Sequence, residues 1–129
     1  MSDSENATWE VCDDLMEIGR VRRFVKKHAA EYASCMRNLD RLLALLNTGI
    51  PFRADLFGFL RSEGGNLYRI GQSGLVGAME TRLYVYIRIA NKNIFVITVG
   101  DKNSQPDDIN RAKSIIQTYE RMLNDGKVQ

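Results

Sequence analysis

The sequence predicts an α+β fold: a small, mainly antiparallel sheet packed against N-terminal helices, with a C-terminal helix. Three observations predict it. Apolar residues recur every seven positions from Ile18 through Val25, Tyr32 and Leu39 to Leu46, the pattern of a helical stripe. Residues 81–90 and 93–99 read as strands joined by the dipeptide Asn91-Lys92, a hairpin in which Asn91 tolerates the left-handed conformation. After them a helix starts abruptly at Pro106, with Ser104 before it and Asp107 three residues beyond that serine.

The elements follow in order. Residues 1–8 are polar and read as a frayed end, which leaves 9–125 as a single domain. Residues 8–15 carry a weak strand signal. The helical stripe then runs to Gly49, with Val21, His28, Cys35 and Leu42 on the neighbouring seam and the glycine as C-terminal cap. Unbroken, that helix is about 45 Å long at 1.5 Å per residue, more than a small domain needs. A bend or a two-helix hairpin is therefore expected near residues 28–32.

Residues 50–65 read as a connector with a short apolar piece, 56–60, ended by Gly64 and Gly65. Residues 67–72 form a strand and 73–80 a loop. Ile109, Ala112, Ile116, Tyr119 and Leu123 make the buried stripe of the last helix. Strands joined by short loops give an antiparallel sheet with helices on one side, leaving the other face open for function.

The hairpin strand 81–90 carries the chemistry. Leu83, Val85, Ile87 and Ile89 fall on one face, Arg82, Tyr84, Tyr86 and Arg88 on the other. Cations interleaved with aromatic rings suit phosphates and bases. Arg88 lies ~20 Å along the strand from Arg82 and is placed at the rim.

Composition bounds the alternatives. Hydrophobic content of 44% and charged content of 26% are ordinary for a soluble domain, so a cytoplasmic location is expected and no membrane partner. The net charge is only +2, yet the first 17 residues hold six acidic side chains and no Lys or Arg. The basic excess falls in 18–92, including the run Arg20, Arg22, Arg23, Lys26 and Lys27. That run reads as a solvated helix face or as a dock for ribosomal RNA phosphates. Cys12 and Cys35 have no metal-ligand spacing, so no metal and no cofactor are expected. His28 is the only histidine, which excludes a paired-histidine ribonuclease site. No glycine-rich phosphate loop precedes a helix.

Three segments carry a family resemblance: YRI at 68–70, TRLYVY at 81–86, and VITVGDK at 96–102 followed by SQPDDINRAK. Together they resemble the RelE/ParE/HigB superfamily of toxins from type II toxin–antitoxin modules. The pattern Gly-Asp-Lys-x-x-Gln-x-x-Asp-Ile is similar to that of the addiction-module killer branch. The likeness covers about residues 9–119, with specific motifs in roughly the last fifty.

The resemblance implies a RelE-like fold and a metal-independent endoribonuclease that cuts mRNA on the ribosome, inhibiting translation and arresting growth. Its implied partners are a cognate antitoxin, mRNA and the ribosome. By position, Arg82 holds the scissile phosphate, Lys102 acts as general acid or charge stabiliser, and Arg69 supports phosphate binding or the base step. Tyr84, Tyr86, Gln105 and Asp101 stand as RNA-binding candidates, Asp101 and Gln105 also as ordinary turn and loop chemistry. Two departures stand out. Gly71 takes the place of a second strand lysine, and no tyrosine follows the basic residue after the last strand. The alternative is a non-enzymatic protein of the same fold, a gyrase poison or an inactive antitoxin- or RNA-binding homologue.

Overall fold

A computed structural model describes residues 8–128. The expected frayed end, residues 1–8, thus lies outside the described residues except for Thr8. The elements are β1 (Glu10–Cys12), α1 (Ile18–Lys27), α2 (Ala29–Leu46), β2 (Leu60–Ser62), β3 (Leu67–Gly71), β4 (Thr81–Arg88), β5 (Asn93–Asp101) and α3 (Gln105–Val128). One sheet of five strands has the order β1-β5-β4-β3-β2. β2 to β5 pair antiparallel in chain order, and β1 runs parallel to β5 with Glu10 opposite Asn93. The class is α+β with a mixed sheet. Among the described residues no helix is long and apolar enough to cross a membrane.

The long apolar recurrence forms two helices broken at His28, inside the expected window and without Gly or Pro. His28 leaves the helical region (φ −137°, ψ 51°), while its N–H still donates to Phe24 O at 2.8 Å. The break lets α1 pack on β5 while α2 lies across β3 and β4. Cys35, Leu39, Leu42 and Leu46 of α2 bury against Leu83, Val85 and Ile87, the face the alternation assigned to the core. Completely burying side chains of this size stabilises by about 1.5–3 kcal/mol each.

Most of the opposite face is covered, contrary to expectation. α3 lies on it, and Ala112 and Ile116 bury Leu67, Tyr84, Tyr86, Phe95 and Ile97. Local reading missed this because α3's stripe and the strand's aromatic face each look half-exposed until they meet. Three smaller corrections follow. Residues 60–62, read as connector, are a strand, with Leu60 buried opposite Ile70. The left-handed residue of the β4–β5 turn is Lys92 (φ 55°), not Asn91. Ser104 precedes α3, but its hydroxyl donates to the Asp108 carboxylate at 2.6 Å, so the expected pairing with Asp107 is not the one used.

A bulge fixes the rest. Tyr84 pairs with Thr98 and Val85 with Val96, leaving Ile97 as an extra residue in β5. Its freed carbonyl accepts the Glu17 N–H at 2.7 Å, which seats the start of α1. The Glu17 carboxylate in turn accepts from Arg111 Nε at 3.2 Å. Arg111 Nη2 (2.7 Å) and Arg20 Nη2 (2.8 Å) both reach Asp108, which is completely buried. The carboxylate fits because Gly100 lies beneath it: a Cβ at residue 100 would collide with the Asp108 carboxylate and the Ser104 hydroxyl. Gly100→Ala is therefore expected to cost about 2 kcal/mol, the usual penalty for overpacking. Urea unfolding of the purified variant measures it, and an unchanged midpoint would contradict this packing.

Candidate functional site

α3 covers the outer sheet face only in part. Beyond its N-terminal end the face continues into a cleft of about 260 Å³ lined by Arg61, Arg69 and Arg82, with Phe59, Gln72 and Glu80 among its walls. Sheet register brings the arginines together. Arg61 of β2 lies directly opposite Arg69 of β3, and Arg69 lies opposite Tyr84, two residues from Arg82 on the same face of β4. Like charges placed opposite each other on a sheet are unfavourable, so this cluster works against stability.

Arg82 is the innermost of the three. Its strand neighbours are glycines on both sides, Gly71 of β3 and Gly100 of β5. Gly71 is the position where the superfamily resemblance predicts a lysine, and its lack of a side chain leaves room over Arg82. The Arg82 side chain is only 14% exposed, and its nearest counter-ion, Glu80, is exposed and 3.7 Å away. Its Nη1 is buried with no hydrogen-bond partner. A shielded guanidinium donor without an acceptor is costly and is a rare feature of finished cores.

The loop that closes the cleft is held from behind. Asn38 Nδ2 of α2 donates to Gly71 O at 2.8 Å and to Ser73 Oγ at 3.1 Å, and Ser34 Oγ donates to Ser73 O at 2.9 Å. The Gln72 side-chain oxygen accepts the Thr81 N–H at 3.1 Å, fastening the loop across its own base. Two polar residues on the otherwise apolar face of α2 thus place Gln72, Glu80 and Arg82.

The expected residues fall into two groups. Arg69 and Arg82 meet in the cleft. Lys102 is exposed on the turn after β5 and is not among the lining residues, although Asp101 before it pairs with Thr81, which is. Asp101 Oδ1 accepts the Ser104 N–H at 2.9 Å, which is turn chemistry. Gln105 Nε2 donates to Glu63 at 3.3 Å, tying the start of α3 to the end of β2. Tyr84 and Tyr86 correct the sequence reading outright. Both are wholly buried under α3, so neither ring offers a stacking face. Tyr86 OH donates to Glu120 at 3.0 Å, and Tyr86 stacks on Phe95. Arg88, placed at the rim, sits over the Tyr119 ring.

Arg61 and Phe59 were missed. Both lie in the segment read as connector, and β2 is only three residues long. A usable signal was present: Leu60-Arg61 mirrors the spacing of apolar and basic residues in 67–70 across Gly64-Gly65, whose positive φ angles make the turn. The Phe59 ring stacks on Phe57 with centroids 4.6 Å apart, under the Arg41 guanidinium and against the inner core. Among the described residues no group of three or more His, Cys, Asp or Glu converges to hold a metal ion.

Burial raises the Tyr84 hydroxyl above its ordinary range, reinforced by the charge of Asp108 and opposed by Arg82. Burial and the Glu120 hydrogen bond push Tyr86 up to about 12. Free tyrosine ionises near pH 10, so the unfolded chain releases these protons first. Both contributions are complete below pH 10; that of Tyr86 is lost as pH rises through about 12, and that of Tyr84 falls in the same direction. Tyrosinate absorbance from both rings should therefore appear together with global unfolding. Complete tyrosine ionisation in a protein whose circular dichroism is still native would contradict their burial. Compared with family models, curated proteins and solved structures, the chain matches none.

Proposed function

We propose that the protein is the toxin of a type II toxin–antitoxin module and that it cleaves ribosome-bound mRNA at the arginine cleft. The observation that carries this reading is Arg82: a buried guanidinium with a free donor, placed beside two further arginines in an open cleft. Such a site selects a phosphodiester, whose oxygens match the planar donors of arginine. The strand order, with a helical pair between β1 and β2 and a final helix after β5, is compatible with the RelE-like fold that the motifs imply.

The chemistry is transphosphorylation. A ribose 2′-oxygen attacks the adjacent phosphorus, the bond from phosphorus to the 5′-oxygen breaks, and a 2′,3′-cyclic phosphate and a 5′-hydroxyl result. Arg82 and Arg69 bind the non-bridging oxygens and stabilise the charge that grows on them, and Arg61 neutralises the neighbouring phosphate. Glu80, the carboxylate among the lining residues, takes the 2′-hydroxyl proton. Lys102, exposed on the turn beside that strand pair and outside the cleft's lining, has to reach over the cleft's edge to supply the proton to the leaving oxygen.

One observation favours a second reading. The cleft holds a single carboxylate and no imidazole, and the expected tyrosines are buried, so a site that binds phosphate without cutting is also consistent with its inventory. Primer extension on a translating reporter mRNA separates the two. Cuts at A-site codons that require ribosomes are expected, reduced about 10²–10³-fold in Arg82→Gln, the usual cost of removing one charge-stabilising donor. An intact message with RNA binding retained selects the binding reading. Undiminished cutting by both Arg82→Gln and Arg69→Gln overturns the site.

A further inference from the structure

The basic run of α1 is not used by the arginine cleft. α1 has the sequence IGRVRRFVKK, five cations with no acidic residue. Arg20 is committed to Asp108. Arg22, Arg23, Lys26 and Lys27 are exposed and enter no ion pair among the described residues. The helix dipole accounts for Lys26 and Lys27 in the last turn, but not for Arg22 and Arg23. Like-charge pairs four apart, Arg22 with Lys26 and Arg23 with Lys27, destabilise an isolated helix.

All the α1 cations except Arg22 line a second cleft, of about 380 Å³, between α1 and the end of β5. Arg23, Lys26, Lys27 and His28 stand around a floor that includes Phe24, and the backbone of Gly100 and Asp101 closes it. Arg20 Nε, at its wall, is buried and has no hydrogen-bond partner. Position is the telling point. Gly100 and Asp101 are the register partners of Arg82 and Thr81, which line the arginine cleft. The two clefts therefore lie on either side of one strand pair at the same end of the sheet, with exposed Lys102 on the turn beside them.

We propose that the α1 cleft is a second phosphate-binding subsite and that one RNA strand runs from the arginine cleft past Lys102 into it. This rests on the reading that the arginine cleft takes an RNA phosphate. Strands of a few nucleotides upward are the usual footprint of such cationic grooves, and their contacts are sequence-tolerant. Each phosphate neutralised contributes about 0.7 to the salt slope of single-strand binding.

The test uses the intact protein and fluorescence anisotropy with two single-stranded RNAs, one of about three nucleotides and one of about twelve. The variant Arg23→Gln/Lys26→Gln/Lys27→Gln changes exposed residues only, and circular dichroism checks its fold. It should lower the salt slope for the long RNA by about 2 and weaken that binding at least tenfold, while leaving the short RNA unaffected. Arg82→Gln, or Arg69→Gln where the first does not fold, should weaken both RNAs. Wild-type binding of the long RNA by the triple variant overturns the subsite and leaves the proposed function standing. Failure of the wild-type protein to bind either RNA overturns both. A polyglutamate peptide that binds the wild type, loses affinity in the triple variant and competes with no RNA assigns the cleft to an acidic protein partner and overturns the RNA path.

Discussion

The buried carboxylate of Asp108 is the interaction on which the arrangement depends. Taking a carboxylate out of water costs several kcal/mol, offset only where charge and hydrogen bonds surround it. Asp108 has Arg20 from α1, Arg111 from its own helix and the Ser104 hydroxyl, over a glycine that gives it room. Through Arg111 the cluster reaches Glu17, and through the Glu17 N–H it reaches the bulge in β5. One side chain thereby sets the relation between α1 on the inner face, α3 on the outer face and the strand between them. Where α3 begins decides how much of the outer face is covered. The arginine cleft is the part left bare.

That gives the motif residues a divided role. In Gly-Asp-Lys-x-x-Gln-x-x-Asp-Ile, Gly100 and Asp108 are the packing pair, Asp101 and Gln105 hold the turn and the helix start, and Lys102 stays exposed on the turn. The site itself is built from separate strands. Its arginines work against the folded state, as repelling neighbours and as a guanidinium with a shielded, unused donor. The apolar clusters on both faces bear that cost, and binding of an anion returns part of it as added stability.

Most of the scaffold was legible in local pattern. The period of two in 81–88 identified the core face of β4, the heptad spacing predicted the helical stretch of α1 and α2, and its excess length called for a break within residues 28–32, where His28 supplies it. What failed was whatever depends on layers meeting. The aromatic face of β4 looked like a binding surface because nothing in 82–88 reveals that α3 folds back over it. Arg82 was readable from strand periodicity, and Arg69 from the family resemblance. Arg61 was not, because a strand of three residues has too few alternations to show a period, and its place beside Arg69 exists only in the register of β2 on β3.

The parallel pairing of β1 with β5 has a kinetic meaning. β4 and β5 close a local hairpin across a tight turn, and β3 and β2 add to it in sequence order. Such near-neighbour contacts form early because little chain entropy is lost in closing them. β1 joins the same sheet only by closing the loop from Glu10 to Asn93, and the clamp of Glu17 on Arg111 spans a similar length of chain. These closures cost the most chain entropy and rest in part on a three-residue strand. The chain-entropy cost of this fold is therefore concentrated in the closures that seat the amino-terminal segment and α1, while the meander that carries the arginine cleft is held by contacts near in sequence.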